Sequence, residues 1–477
     1  MPLILPGNVA SALGGGYEVA NSLRFDTASS TDLVYTPSST GSRRTFTWSV
    51  WIKRSKLGAG QQIFTKKEGS GSDNNGNGNA DYLALTYFNS DDTLTVARNQ
   101  EGDYINVSVA NRKFRDIGAW YHVVASIDTT QGTGSNRVKC WVNGEAQSLT
   151  FTTTPTENRD LDFNQSGEAH HLGSYGDGSS AYFSGYLAEC VLMDGTAVSD
   201  ATNFGEYDED SPTIWKPKDV SGLSLGTNGF YLDFENSSSL GNDAAGSNNF
   251  GTVNNLAAID SSTDTPTNNF CTLNPLAPWS NPNTFSEGNC VISGSASAWQ
   301  ISTGTMGFSK GKWYWEVLFS GGTVGNYHAG VADETANNFN TTHSQAGITN
   351  YYNGDGGEMY NGGADAFTSA NYGTMNGSTD IVGIACDFDN GQMTVYKNGS
   401  AIVTNYALDS TTNNKNTLFP ITAQHGSSQV TKYNFGGCSG FTVSSGNADD
   451  NGYGNFEYDV PTGYLALCTK NLGSDGG

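Results

Sequence analysis

Residues Asp380–Gly399 read DIVGIACDFDNGQMTVYKNG, and the fold of the C-terminal half follows from them. Ile381 to Phe388 is an apolar run of strand length, rich in β-branched and aromatic residues. Asp389-Asn390-Gly391 follows as a turn, since Asn-Gly tolerates the positive φ of a tight type I′ hairpin. Gln392 to Lys397 then alternates, with Met393 and Val395 on one side and Thr394 and Tyr396 on the other. Asn398-Gly399 turns the chain again. The same plan occurs earlier, where the strand Trp120–Asp128 (WYHVVASID) leads through a loop to Arg137–Val142 (RVKCWV) and to Asn143-Gly144. Two hairpins with one ending predict two β-sandwich domains of related plan and different residues.

Composition agrees with this reading. The chain has 477 residues, enough for two or three domains each with its own core. Sixty glycines (Gly 60) and 12% aromatic residues favour turns and strands over helices. Charged residues are only 15% of the chain, fewer than the exposed faces of helices need. The net charge of −24 is unevenly spread: residues 1–160 hold 15 Lys/Arg against 15 Asp/Glu, the remainder 8 against 32, and no Arg follows Arg159. Such a surface repels phosphate backbones and disfavours nucleic acid as a partner. No stretch approaches the ~18 apolar residues of a membrane span, so no membrane insertion is expected. The start MPLILPGNVASALGGG has no basic n-region, and Pro6-Gly7 ends its apolar run, so it does not read as a secretory leader. Seven cysteines without Cys-x-x-Cys or zinc spacing are read as thiols, with Cys140, Cys190 and Cys386 on strands and buried.

Taken in order, residues 1–20 form an apolar arm that either packs on its own domain or docks on a partner, with attachment as the reading adopted. From Asn21 strands begin, among them Arg43–Lys53 (RRTFTWSVWIK). There Phe46, Trp48, Val50 and Ile52 share one face, and Thr47, Ser49 and Trp51 the other. The order SLRF, FTWSVWIK, IFTK, AWYHVVASID, VKCWVNGE, HHLGSYGDG, FSGYLAECVLMDG resembles the laminin-G-like, concanavalin A-like lectin sandwich over residues 21–204. Residues 205–298, rich in Gly, Asn, Ser and Thr, read as a connector, an edge addition to the first sandwich, or a small subdomain. Their texture, including TDTPTNNFCTLNPL, resembles linkers in structural proteins of marine tailed phages. From Trp299 strands return. KWYWEVLF (Lys312–Phe319) sets Trp313, Trp315, Val317 and Phe319 on one face, and HAGVAD, VGIACDFDNGQMTVYKNG, LFP and NFG follow. That order resembles the SPRY domain, placed here at 299–477. The expected fold class is therefore all-β, with two antiparallel sandwiches of jelly-roll, concanavalin A-like type and helix below about one residue in ten.

The concanavalin A-like resemblance brings glycoside hydrolases into view. Retaining enzymes need two carboxyls about 5–5.5 Å apart, usually on one strand as E-x-D-x-x-E. The nearest patterns, Glu206-x-Asp208 and Asp233-x-Glu235, lack the third acid, so no catalytic residue is assigned. His170 and His171 are adjacent and on a strand face opposite sides, unable to share one metal; His122 is read as packed. Calcium is the one cofactor the resemblance implies, held through loop oxygens at Asp73, Asn74 and Asp177. The glycan-binding candidates lie in NYYNGDGGEMYNGG (Asn350–Gly363). There Tyr351, Tyr352 and Tyr360 offer rings for stacking, and Asp355 and Glu358 offer oxygens for sugar hydroxyls. The expected function is a non-enzymatic virion protein, a tail fibre or capsid-surface appendage on the exterior of a phage particle. Its expected partners are other virion proteins, further copies of itself and a host surface glycan. A glycan depolymerase and a purely structural decoration protein are the alternatives.

Overall fold

The computed structural model describes residues 16–67, 82–99, 104–176, 178–276, 283–294, 299–321, 327–333, 348–354, 357–361, 372–375, 377–408 and 417–475. The chain divides into a unit spanning Leu13–Thr267 and one spanning Asn268–Gly477. Strands dominate both, and the one α-helix among the described residues is Thr469–Asp475. The expected all-β class is what the chain adopts.

In the first unit two eight-stranded sheets enclose one core. One sheet runs in the order Glu145–Ala146, Val138–Val142, Trp120–Asp128, Thr45–Arg54, Gly185–Asp194, Ser22–Phe25, Ser261–Ser262, with Phe230–Leu232 also paired to Gly185–Asp194. The other runs Leu149–Thr153, Asn106–Val109, Leu94–Asn99, Tyr82–Phe88, Gln61–Lys67, His170–Leu172, Asp32–Tyr35, Thr252–Asn254. Phe46, Trp48, Val50 and Ile52 point into the shared core, as their alternation requires. The opposite face of that strand is buried too. Trp51 is 3% exposed and stacks on His122, and a second apolar layer, with Val198, Phe204, Val220 and Leu225, closes over Val124, Trp141 and Val191. The stretch read as a connector supplies much of this unit. Phe230–Leu232, Thr252–Asn254 and Ser261–Ser262 add strands to both sheets, and Lys53 and Asp264 form a wholly buried ion pair at 2.6 Å. Further on, Thr284–Ser286 and Val291–Ser293 belong to the second unit.

That second unit packs an eight-stranded sheet, Thr284–Ser286, Val291–Ser293, Val430–Asn434, Lys312–Ser320, Ile381–Asp387, Gln392–Lys397, Ser400–Ala407, with Leu465–Ala466 paired in parallel to Lys312–Ser320. Opposite it lies a five-stranded sheet, Trp299–Thr303, Leu418–His425, Tyr327–Asp333, Ile348–Asn353, Glu358–Asn361. Trp313, Trp315, Val317 and Phe319 fill the space between; Phe388 packs against it half-buried. The outward residues Tyr314 and Leu318 are covered in turn by Phe456 and Phe441 of the C-terminal tail.

The turns explain the repeated ending of the two hairpins. Asn143 and Gly144 hold φ of 50° and 78°, Asn398 and Gly399 φ of 48° and 77°, the pairing of positive values that a type I′ turn needs. In each the Asn side chain also continues the ladder. His122 N donates to Asn143 Oδ1 at 2.7 Å while Asn143 N donates to His122 O at 2.9 Å. Ile381 N donates to Asn398 Oδ1 at 2.9 Å while Asn398 N donates to Ile381 O at 2.9 Å. Asn390-Gly391 is built otherwise, which corrects the type I′ expectation there. Only Gly391 of that pair is left-handed, at φ 62°. Gly391 N donates to Phe388 O at 3.1 Å, and Asp387 Oδ1 accepts from Asn390 N at 3.0 Å. The carboxylate holds Asn390 out of the left-handed region and lengthens the loop to Phe388–Gly391, between the paired Asp387 and Gln392.

Candidate functional site

The Tyr351–Tyr360 segment is a hairpin rather than a loop. Ile348–Asn353 pairs with Glu358–Asn361, setting Tyr351 opposite Tyr360 and Gly330 at the edge of the five-stranded sheet. Tyr352 is a correction to the glycan-binding set. It is fully buried in the core, and its hydroxyl donates to Gly373 O. A ring enclosed by core atoms offers no face to a sugar. Glu358 is half-buried. The side chains of Tyr351 and Tyr360, and all of Asp355, lie outside the described residues, as do the calcium candidates Asp73, Asn74 and Asp177. Among the described residues no group of three or more His, Cys, Asp or Glu is placed to hold a metal ion.

The acid pairs resolve into separate roles. Glu206 Oε1 and Asp208 Oδ2 lie 3.7 Å and 3.6 Å from Lys216 Nζ. Asp233 caps a turn by accepting from Glu235 N at 3.1 Å. The carboxyl that sequence reading passes over is Glu189. It sits at an irregularity between Ala188 and Val191 of strand Gly185–Asp194, with a left-handed φ of 50°. Such a bulge turns a side chain that would otherwise follow the pleat. Glu189 accepts from Tyr231 at 2.9 Å and from Tyr17 at 3.1 Å, and those two hydroxyls lie 2.9 Å apart. Burial pushes its carboxyl up to about 8, against the pull of the two hydroxyls, with Asp233 and Glu235 adding repulsion. This cluster fastens the start of the described chain, since Val19 is also buried and bonded to Thr267.

Glu316 does the same work in the second unit. It accepts from Glu457 N at 3.0 Å, Tyr458 N at 2.9 Å, Asn434 Nδ2 at 3.1 Å and Tyr314 at 3.3 Å. Burial raises it to about 7.

His122, His170 and His171 are interior. His122 is stacked on Trp51 at 4.6 Å and on Trp215 at 6.0 Å. Trp215 Nε1 donates to its Nδ1 at 2.9 Å, which leaves the proton on Nε2, facing Ser49 Oγ at 2.9 Å. Burial pushes its pKa down to about 3, and His170, burial again leading, to about 3. His171 Nδ1 meets Asp32 Oδ2 at 2.7 Å. Asp32 also accepts from Ser174 at 2.8 Å and Asn254 at 2.7 Å. Its burial works upward, but these bonds together hold it below the ordinary carboxylate range.

A surface cleft of about 470 Å³ opens on the first unit, where the chain runs through Ser237–Asn242 and Asn249–Ala258. Leu240 and Phe250 form its buried base, and Val253, 40% exposed, stands in it. Serine and asparagine, with Gly251, Leu256 and two alanines, line the rest. The polar texture of this stretch hides the cleft in the sequence, where Leu240, Phe250 and Val253 stand as isolated apolar residues.

Comparison with known proteins matches both domain readings. The family described as the concanavalin A-like lectin/glucanases superfamily matches residues 28–201, and the SPRY domain family matches residues 312–437. No curated protein matches the chain. Among solved structures, a heptameric SAP-like pentraxin from Limulus polyphemus is 19% identical over 39% of this chain and 80% of its own, with a TM-score of 0.28. The SPRY domain of human HERC1 is 14% identical over 32% of this chain and 89% of its own, with a TM-score of 0.25. A human SPRY domain is 18% identical over 30% and 90%, with a TM-score of 0.23. This chain thus carries a laminin-G-like, concanavalin A-like domain in its N-terminal part and a SPRY domain in its C-terminal part.

Proposed function

We propose that this chain is a non-catalytic, glycan-binding protein of a tailed-phage particle, displayed on the particle's exterior as a fibre or surface appendage and acting in several copies. The observation that carries the non-catalytic part is the use made of the two acids that burial raises most among the described residues. Glu189 is held by two tyrosine hydroxyls, and Glu316 by two backbone N–H groups, an amide and a hydroxyl. A retaining glycosidase needs one carboxyl free to attack and a second about 5–5.5 Å away to donate a proton; here both acids are engaged by the fold. Concanavalin A-like and SPRY domains are compatible with a binding role, a fold-level analogy rather than a reading of a site. Weak contacts to a repeating surface polymer favour several copies. The particle context rests on the texture of residues 205–298.

Incubating the chain with host surface polysaccharide and following reducing ends tests this reading. The expected result is co-sedimentation with the polymer and no new reducing ends. A steady rise in reducing ends would establish the depolymerase instead.

A further inference from the structure

We infer that the cleft on the first unit is a seat for a neutral sugar. This deepens the glycan-binding reading and rests on it. The twelve residues lining the cleft include no Lys, Arg, His, Asp or Glu, in a chain whose net charge is −24. Neither an anion nor a cation finds a counter-charge there. What the cleft offers instead is an apolar patch beside unengaged hydrogen-bonding groups. Leu240, Val253 and Leu256 supply the patch. Ser237, Ser238 and Ser239 are exposed, and among the described residues no hydrogen bond engages their hydroxyls. Asn249 commits its Oδ1 to Asp243 N at 2.8 Å and keeps its NH₂ as a donor.

A pyranose has this same division, with C–H surface on its faces and hydroxyls around its rim, so one ring can bury the patch and exchange hydrogen bonds at the edge. The walls are set in advance. Asp243 accepts from Tyr231 N at 2.9 Å and from Asn248 N at 3.0 Å. Phe250 N donates to Gly241 O at 2.8 Å. Ordering this site therefore costs a ligand little. The cleft lies outside residues 28–201, the stretch shared with the concanavalin A-like family, so it is a feature of this chain.

The test uses the full chain and a panel of neutral methyl glycosides and disaccharides, with glucuronic acid as the charged control. Binding is read by saturation-transfer NMR and titration calorimetry. Gly251 lines the cleft and a Cβ there meets nothing within 4 Å, so Gly251→Trp adds an indole at the cleft without displacing a neighbour. That variant is expected to melt as the wild type does and to lose neutral-sugar binding. Ser237→Ala with Ser239→Ala, removing two neutral hydrogen bonds, is expected to weaken binding about tenfold. If the wild type binds neutral sugars and Gly251→Trp binds them equally, the cleft is not the seat and the glycan reading stands. If only glucuronic acid binds, the neutral specificity is overturned. If no sugar of either kind binds, the glycan reading itself fails.

Discussion

Replacing Glu189 by Gln isolates the proton that this carboxyl keeps in the fold. Its pKa rises from an ordinary 4.5 to about 8 in the folded chain, burial being the main cause. Between those values the folded state holds a proton that the unfolded state has released. The stabilisation linked to Glu189 is therefore fully present below pH 4.5 and is lost as pH rises through about 8. At about 1.4 kcal/mol per unit, the difference amounts to roughly 5 kcal/mol. The substituted carboxamide is neutral at every pH and can still meet Tyr17 and Tyr231. The stability of Glu189→Gln minus that of the wild type should then grow by roughly 5 kcal/mol from about pH 4.5 to about pH 9. His122 and His170 titrate the opposite way, costing stability as pH falls from 6.5 towards about 3, but they are common to both proteins and cancel. Cys140 and Cys190 are buried in the first unit, so their protection from a thiol reagent during urea unfolding reports that unit alone. A difference flat within about 1 kcal/mol across this range would mean that Glu189 is already ionised in the fold, and the reasoning from burial would be wrong.

Trp313→Ala should cost about 3–5 kcal/mol, since a fully buried ring leaves a cavity; a loss below about 1 kcal/mol in urea unfolding would place that face outside the core. Gly391→Val puts a β-branched side chain at φ 62°, so the variant should lower the melting temperature of the second unit, and normal melting would show a turn built in another way. Antibody against this chain, imaged on virions by negative stain, should decorate the particle surface, and undecorated particles would remove the phage setting.

How far the fold is legible in the sequence depends on strand length and on what covers each face. Long alternating strands such as Thr45–Arg54 and Lys312–Ser320 declare their inner faces through Trp48, Val50, Trp313 and Trp315. Their outer faces mislead, because Ser49 and Thr47 suggest solvent while residues near Phe204 and Leu225 cover that side. Strands of two or three residues, Phe230–Leu232, Thr252–Asn254 and Ser261–Ser262, are too short to show any period. They gain their place from pairing with distant strands, which is how a stretch read as a connector becomes part of a sandwich. Tyr352 misleads because its Gly- and Asn-rich surroundings conceal a paired strand. Asn390 misleads because the cap from Asp387 outweighs the Asn-Gly preference. Nothing local marks Glu189 as a buried acid; its partners Tyr17 and Tyr231 lie 172 and 42 residues away.

The central claim, binding without cleavage, is tested most directly by passing the full chain over an array of immobilised neutral and acidic glycans and then measuring the size of each glycan by mass spectrometry. Retention on neutral glycans, with every glycan recovered at its original length, is the predicted result. Shortened glycans, or no retention on any of them, would contradict it.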